Sequence, residues 1–402
     1  MCKSICTFHE KYLSLSLKTE TMKILFLTYH GFEEASGISK KMLAQIKGLR
    51  QNGHEVHVCS YDRRENGHMC RFVDDEVIRD YGRGILAGLR QRMSYGCIAD
   101  YCIRESIEVV YARSFMNASP FLISLFRRLK QNAVKCLMEI PTYPYDEEFK
   151  SLPIKHSFGL WGDKLFRRQL ASYMDAIVTF SDYQTIFGQK TINISNGVDF
   201  DVLPLHGKVD AEAGLHLIGV AEVHPWHGFD RMIHGLGEYY KHGGGQQLPV
   251  FFHIVGSVWP PEMNGTKIAP GFLPIMKRYG IEDKVIFHGR LFGKDLDAVF
   301  DQCSFGIGSL ARHRSGITVI KTLKNREYAC RGLPFIYSEQ DADFDGQPYV
   351  LKAPADESPI RVQDIIEFCK HVPEASAIRK SVEHLSWKMQ MQRVIDAVKQ
   401  IP

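Results

Sequence analysis

No apolar run in the 402-residue sequence approaches the eighteen or so residues of a membrane-spanning helix. The ten cysteines include no Cys-x-x-Cys pair, so no zinc-site spacing is present. Cysteines scattered in this way indicate buried thiols and a reducing compartment, which favours a cytoplasmic protein. The net charge is only +4, which argues against a nucleic-acid partner and leaves anionic small molecules or a membrane surface.

Two further patterns are missing near the start of the chain. No Gly-x-Gly-x-x-Gly follows the first apolar run, "KILFLTY" at Lys23–Tyr29, so an oxidoreductase that uses a dinucleotide is not favoured. Residues 1–21 contain no continuous apolar stretch and carry Lys3 and Lys11, so they do not resemble a signal peptide. We expect residues 1–21 to be a poorly ordered extension.

Two successive series of short apolar strands and helical patterns make up most of the sequence. Their lengths suggest an N-terminal domain at 22–204 and a second domain at 205–385, followed by a terminal amphipathic helix at 386–402 that we expect to pack back on the first domain. Repeated βα units predict an α/β protein with two Rossmann-like, doubly wound parallel sheets. Ligands in such folds bind beyond the carboxyl ends of the strands, so we expect a site in the cleft between the domains.

The stretch "LKNREYACRGLPFI" at Leu323–Ile336 places two cations and a carboxylate at the start of a predicted helix that ends at Gly332. Lys324, Arg326 and Glu327 are consistent with ordinary ion pairs on an exposed helix, worth under about 1 kcal/mol. They are also what a metal-free site needs to bind a diphosphate, whose charge must be balanced by Lys, Arg and helix N-termini.

The order of several segments resembles the GT-B glycosyltransferases, and among them the retaining family 4 type of bacterial surface-polysaccharide assembly. The resemblance extends from about Met22 onward. It rests on the loop with Gly37 and the helix ending "LRQNGHEVHV", on "ISNGVDFDVLP", "AEVHPWHGFDRMI", "FHIVGS" and "VIFHGRL", and on "LKNREYACRGLPFI". It implies two domains facing each other across a cleft, and transfer of a sugar from a nucleotide-diphosphate sugar to a hydroxyl of a glycan, with retention of configuration. The acceptor would be lipid-linked, and no metal or other cofactor is expected.

The resemblance also suggests roles for individual residues. Lys324 and Arg326 would stabilise the leaving diphosphate, and Glu327 would bind the nucleotide ribose. Further donor contacts are expected from Arg314, Ser315, Gly316, His227, Gly228 and Gly37. The acceptor candidates follow a predicted strand in "MEIPTYPYDEEF" and are Glu139, Thr142, Tyr143 and Tyr145. Each set has a simpler alternative, namely a solvated loop arginine, turn glycines and ordinary packing of an aromatic loop.

Three positions depart from the family pattern. Glu222 and the pair His227-Gly228 stand where the family has an arginine and a Lys-Gly pair for the diphosphate, although a histidine can still donate to phosphate. Val319 stands where many members have a glutamate that contacts the donor sugar. These departures leave two alternatives open: a nucleotide-sugar epimerase on the same fold, or a nucleotide-sugar-binding protein that has lost catalysis.

Two basic helical segments and one acidic segment complete the list of candidates. The segments at 120–131 and 163–173 combine an apolar face with Lys and Arg, which suits peripheral contact with a cytoplasmic membrane surface or, equally, an ordinary helix packed on the core. The sequence "DADFD" at Asp341–Asp345 contains Asp-x-Asp, but its late position favours a loop over a metal site.

Overall fold

The computed structural model describes residues 21–32, 37–114, 116–146, 154–207, 214–257 and 271–401, the side chains of 154–159 excepted. All but the last residue of the predicted extension 1–21 therefore lies outside the described residues. Within the described residues the chain forms two parallel-sheet α/β domains, as the alternation of apolar strands and helical patterns predicted.

The N-terminal sheet has the strand order β4-β3-β2-β1-β5-β6-β7-β9-β8. Strands β2, β1, β5, β6, β7 and β9 are parallel, and the antiparallel strands β3–β4 and β8 extend the two edges. The strands are β1 (Lys23–Leu27), β2 (Glu55–Arg63), β3 (Met69–Val73), β4 (Glu76–Gly82), β5 (Val109–Arg113), β6 (Lys135–Ile140), β7 (Ala176–Thr179), β8 (Thr185–Ile186) and β9 (Gln189–Asn193). The helices are α1 (Gly37–Gln51), α2 (Gly84–Met93), α3 (Gly96–Arg104), α4 (Pro120–Gln131) and α5 (Ile154–Ala171).

The C-terminal sheet is entirely parallel, with the order β12-β11-β10-β13-β14-β15. Its strands are β10 (Leu215–Val220), β11 (Val250–Val255), β12 (Val285–Gly289), β13 (Phe305–Ile307), β14 (Phe335–Tyr337) and β15 (Val350–Lys352). The helices of this half are α6 (Phe229–Lys241), α7 (Gly244–Gln247), α8 (Phe272–Tyr279), α9 (Gly293–Phe300), α10 (Leu323–Arg331), α11 (Val362–Cys369), α12 (Ala375–Ser381) and α13 (Trp387–Lys399). Two apolar clusters cover the two faces of this sheet, so its strands are buried on both sides.

The last helix, α13, returns to the N-terminal domain and packs against α1. Trp387 and Met391 lie in the same core cluster as Ile24 of β1. A Cβ on Gly48 of α1 would come within 2.7 Å of the Trp387 carbonyl oxygen, so α1 has no room for a larger residue there. This close approach fixes α13 as part of the N-terminal domain's core.

The strand order places a crevice at the carboxyl end of β10. This strand lies between β11 and β13, so the connections that leave β10 and β13 run to opposite faces of the sheet. The segment 224–228 follows β10, and the segment 309–316 follows β13. The two segments therefore meet where a doubly wound sheet usually binds its ligand.

Candidate functional site

The segments that follow β10 and β13 are joined by backbone hydrogen bonds. The amide of Leu310 donates to the His227 carbonyl at 2.9 Å, and the amide of Ala311 donates to the Trp226 carbonyl at 3.2 Å. Gly228 completes the turn with a φ of 63°, and a Cβ there would lie 2.9 Å from the Ala311 Cβ. Only glycine satisfies both the left-handed backbone and this close approach.

Lys324 extends from the first turn of α10 toward this junction. Its ammonium donates to the Ser309 hydroxyl at 3.2 Å. Burial, and secondly the positive charge of Arg312, lower the pKa of Lys324 to about 7, although the carboxylate of Glu339 acts in the opposite direction. A bound anion would favour the charged form of this lysine and raise its pKa.

His227 lies beside the two cations and is buried. Burial, then the charges of Lys324 and Arg312, lower the pKa of His227 well below its ordinary value, so the ring is neutral near pH 7. Its Nδ1 accepts a hydrogen bond from the His224 backbone amide at 3.0 Å. The proton of the neutral ring is therefore on Nε2, which makes this nitrogen a hydrogen-bond donor.

Glu339 is a buried carboxylate of the same cluster that sequence reasoning missed. It follows β14 and is 2% exposed, and its Oε1 accepts from the Asn325 side-chain amide at 3.4 Å. Its Oε2 has no hydrogen-bond partner among the residues that the structure describes. Burial raises the pKa of Glu339, against the opposing effect of Arg312 and Lys324. The available signal was an acidic residue directly after a strand of the second domain, in "FIYSEQ".

Glu339 precedes Gln340, which pairs with the segment before α10. The backbone of Val319 pairs with that of Gln340, with the Gln340 amide donating to the Thr318 carbonyl at 2.7 Å. Val319 itself is half exposed and apolar.

Arg312, which sequence reasoning also missed, is the second cation near Lys324. It follows β13 in the short turn at Arg312–Ser315, which ends at Gly316 with a φ of 69°. Its guanidinium lies 5.8 Å from the centre of the Trp226 ring. The run "ARHRS" offered two arginines, and pattern alone could not show which one faces the cluster.

Arg314, the arginine chosen from sequence, is held by carboxylates. It donates to both oxygens of Asp230, at 3.0 and 2.8 Å, and also pairs with Glu357. A further bond to the Pro225 carbonyl at 2.8 Å ties the turn after β13 to the segment after β10. The Ser315 hydroxyl donates to a backbone carbonyl within its own turn at 2.8 Å. The predicted phosphate contact of Arg314 would require these bonds to rearrange.

Arg326, predicted to face the diphosphate, is fully buried between the domains. Its partners lie in the acidic segment Asp341–Asp345 and in the chain that follows β9 at the end of the N-terminal domain. It donates to the Ser195 hydroxyl at 2.9 Å, the Asn196 carbonyl at 3.0 Å, the Thr322 carbonyl at 2.9 Å, both oxygens of Asp341 and one oxygen of Asp343. Its hydrogen-bonding capacity is used within the protein, so the structure favours a positioning role over contact with a ligand.

Glu327 is the residue after Arg326 in α10 and is partly exposed. Its Oε1 accepts from Arg331 Nε at 3.0 Å, and Arg331 in turn pairs with Asp297 of α9 at 2.7 Å. Among the described residues, the other Glu327 oxygen makes no hydrogen bond. Its predicted contact with a ribose therefore remains compatible with the structure.

The acceptor candidates of the N-terminal domain fall into two groups. Tyr145 is buried and donates to Asp163 at 2.7 Å, whereas Thr142 and Tyr143 are partly exposed. The Tyr143 ring packs edge-on against Tyr183 with 4.9 Å between the ring centres. Thr142 and Tyr143 are thus the two that present surface for a ligand.

Glu139, the fourth acceptor candidate, is fully buried in an ion cluster. It accepts from the Tyr111 hydroxyl at 2.5 Å and from the Gln45 amide at 2.6 Å, with the Lys41 ammonium at 3.3 Å and Arg113 at 3.6 Å. Burial acts to raise the pKa of Glu139, but Lys41 and Arg113 bring it below its ordinary value. This cluster joins α1, β5 and β6 and leaves Glu139 no surface for an acceptor.

Gly37, the remaining donor candidate, is the first residue of α1 and is exposed. A Cβ at this position would meet nothing within 4 Å. The described residues thus show open space at the N-terminus of α1, on the carboxyl-end side of β1.

Three solved structures share this architecture over nearly their whole length. Sucrose-phosphate synthase from Thermosynechococcus elongatus is 13% identical, with 94% of this chain and 98% of that chain covered and a TM-score of 0.61. Trehalose-6-phosphate synthase OtsA is 10% identical, with 95% and 100% covered and a TM-score of 0.60. The catalytic domain of starch synthase IV from Arabidopsis thaliana, bound to ADP and acarbose, is 13% identical, with 94% and 99% covered and a TM-score of 0.57.

The fold is GT-B. The predicted fold class is confirmed, since two parallel-sheet domains in this arrangement are shared with these enzymes. No protein-family model and no curated protein sequence matches the chain. Among the described residues, no helix combines the length and the hydrophobicity that crossing a membrane requires. The same residues include no group of three or more His, Cys, Asp or Glu side chains arranged to hold a metal ion.

Proposed function

We propose that this GT-B protein is a glycosyltransferase that moves a sugar from a nucleotide-diphosphate sugar to a hydroxyl of a glycan acceptor. The observation that carries the proposal is the cluster of Lys324, Arg312 and neutral His227 at the carboxyl end of β10 and β13. Departure of the diphosphate leaves negative charge that must be stabilised at its oxygens. The cluster supplies two cations and a neutral donor at the crevice where such folds bind ligands.

Each residue of the cluster has a distinct role in this proposal. Lys324 and Arg312 neutralise the leaving diphosphate, and the Nε2 proton of His227 donates a hydrogen bond to it. Glu327 accepts from the ribose hydroxyls. Glu339 lies behind Lys324 and sets how readily that lysine keeps its proton. Arg326 positions α10 through its buried ion pairs and touches no substrate.

The finer features of the reaction follow from the sequence resemblance. The acceptor hydroxyl attacks from the face that the diphosphate leaves, which retains the anomeric configuration, and no metal takes part. The enzyme is of the family 4 type and extends a lipid-linked glycan for surface-polysaccharide assembly at the cytoplasmic face of a membrane. Thr142 and Tyr143 are the acceptor contacts with surface available for that role.

The first experiment is a thermal-shift screen against UDP, GDP, ADP, CMP and their common sugar conjugates without added metal. A ligand at 100 times its dissociation constant should add about 2.7 kcal/mol to the free energy of unfolding. We expect a shift with one nucleotide family, and loss of that shift in Lys324→Met. The control is Lys388→Met, which makes the same change at an exposed lysine. Gly280→Ala is not a suitable control, because Gly280 has a left-handed backbone.

Turnover then separates the proposal from its alternatives. Transfer to an acceptor supports the glycosyltransferase, and altered donor in the absence of acceptor would identify an epimerase. Donor binding without turnover on any glycan would identify a binding protein. No shift with any nucleotide or conjugate would contradict the proposed site itself.

A further inference from the structure

Helix α2 exposes an unusual amount of aliphatic surface. Of its ten residues, only Ala87 and Gln91 are buried. The large apolar side chains on the other side are exposed, with Ile85 at 93%, Leu86 at 65%, Leu89 at 53% and Met93 at 43%. These four residues form what we call the α2 apolar face. Contiguous apolar surface of this kind on a soluble protein marks a contact with something else.

The helical positions of these residues form an ordered pattern. At about 100° per residue, the α2 apolar face spans an arc of about 100°, opposite Ala87 and Gln91. Arg92 lies about 20° beyond one edge of the arc, and Arg90 lies about 40° beyond the other. An apolar stripe with a cation along each edge is the arrangement of helices that lie in the plane of a bilayer surface.

The charges of this helix are free to meet an external anion. Arg83, Arg90 and Arg92 are exposed, and among the described residues none of the three forms an ion pair or a hydrogen bond with another side chain. Helix α2 contains no acidic residue. A protein partner with an apolar groove would not require this one-sided positive charge, whereas anionic lipid headgroups complement it.

The two helices singled out from sequence are less suitable for this contact. Arg128 of α4 pairs with Asp100 at 2.7 Å, and Lys130 pairs with Asp175 at 2.5 Å. In α5, Arg167 pairs with Asp146 at 2.7 Å. These three cations are already paired with carboxylates, so they offer less to a charged surface than the arginines of α2 do.

The location of α2 relates it to the cleft. Tyr95, two residues beyond α2, is hydrogen-bonded to Asn117, which lies in the segment that follows β5. The next residue, Ala118, donates its amide to Asp163 of α5 at 3.2 Å. Helix α2 therefore ends near the carboxyl-end edge of the N-terminal sheet and contacts α4, which in turn packs against α5. Exposed Phe121 and Trp161 on those two helices add apolar surface nearby.

We infer that the α2 apolar face and its flanking arginines dock on a bilayer containing anionic lipids, with the helix axis parallel to the membrane. The aliphatic side chains enter the boundary between headgroups and acyl chains, and the arginines reach the lipid phosphates. The inference deepens the proposed function, since docking there would bring the acceptor side of the cleft to a lipid-linked glycan. The surface itself is identified from exposure and charge alone.

The test is sedimentation of the full chain with vesicles of phosphatidylcholine alone and of phosphatidylcholine mixed with phosphatidylglycerol. We expect binding to the mixed vesicles and little binding to the neutral ones. The double variant Ile85→Ser/Leu89→Ser should bind the mixed vesicles about tenfold more weakly or worse, because two aliphatic side chains no longer enter the bilayer. Val202→Ser, which changes a side chain that is 69% exposed elsewhere, is the matched control and should bind normally.

Charge is tested separately with the double variant Arg90→Gln/Arg92→Gln. This variant should lose binding to the mixed vesicles, and the binding that remains should depend only weakly on added salt. Equal binding of wild type and the Ile85→Ser/Leu89→Ser variant would overturn the inference, as would no binding to either vesicle. A dimer in solution that this variant abolishes would instead assign the face to a second copy of the chain. The nucleotide thermal shift is measured on every variant, so failure of membrane docking and failure of the donor site are distinguished.

Discussion

Arg326 and Asp341 form a bidentate ion pair in which both side chains are completely buried. The two bonds measure 2.6 Å from Nη1 to Oδ2 and 3.0 Å from Nη2 to Oδ1. The same guanidinium donates to Ser195 at 2.9 Å, in the segment that leaves the N-terminal sheet. One side chain thus connects α10, the segment after β14 and the chain between the domains.

Replacing Arg326 with methionine should lower the free energy of unfolding by about 3–5 kcal/mol, because Asp341 and Asp343 would keep buried charges without a partner. Urea unfolding measures the loss. Lys321→Met is the control, since the ion pair that it breaks, with Asp182 at 3.2 Å, is partly exposed and should cost under about 1 kcal/mol. If Arg326→Met is stable but no longer binds nucleotide, the diphosphate contact predicted from sequence would be supported instead.

Donor binding should weaken as pH rises above about 7 if Lys324 meets the diphosphate. The pKa of Lys324 is about 7, so below that pH the ammonium is already present. Above it, binding requires uptake of a proton, and affinity should fall by up to about tenfold per pH unit. Calorimetric titration with the nucleotide-sugar between pH 6 and about pH 9 measures this.

The two Lys324 variants separate charge from shape. Lys324→Arg keeps its charge throughout that range and should remove the pH dependence. Lys324→Met should bind weakly at every pH. An identical slope in wild type and Lys324→Arg would assign the titration to another group.

Glu339→Gln should move the midpoint of that pH profile to lower pH. The carboxylate of Glu339 favours the charged form of Lys324, so its removal leaves burial and Arg312 to lower the pKa of the lysine further. The glutamine keeps the shape of the side chain and its hydrogen bond with Asn325. Exposed Glu282→Gln carries the same chemical change far from the cluster and should leave the midpoint where it is. A role confined to packing would leave the midpoint of Glu339→Gln unchanged.

Gly228→Ala and Gly316→Ala should differ in cost although both glycines have a left-handed backbone, with φ of 63° and 69°. A Cβ at residue 228 meets Ala311 at 2.9 Å, whereas one at residue 316 meets nothing within 4 Å. Gly316→Ala should cost about 1 kcal/mol from the backbone alone, and Gly228→Ala should cost more. Gly228→Ala should also weaken donor binding, because His227 must move with the turn. Thermal unfolding of both variants provides the comparison.

The fold was predictable because local patterns and global architecture agree. Apolar runs such as Lys23–Leu27 and Val250–Val255 alternate with helical spacing, and this alternation by itself implies parallel sheets. The antiparallel hairpin of β3 and β4 was not predicted, since "MCRFV" is short and gives little periodic signal.

The site was predictable only where chemistry coincides with a local motif. Lys324 could be chosen because it opens a helix after a strand. The burial of Arg326 and the carboxylate of Glu339 depend on Asp341 and on the pairing of Val319 with Gln340, which are contacts between separate segments. The exposure of α2 was equally inaccessible, because an aliphatic stripe in a sequence normally indicates a core-facing helix.

The return of α13 to the first domain has a consequence for synthesis on the ribosome. Domains usually fold in order as they emerge, the N-terminal one first. Here the N-terminal core includes Trp387 and Met391, and the Lys135 ammonium bonds the Ile401 carbonyl at 2.6 Å. The N-terminal core therefore cannot be completed until residues 387–401 have left the ribosome, and part of its apolar surface stays uncovered and open to chaperones until then.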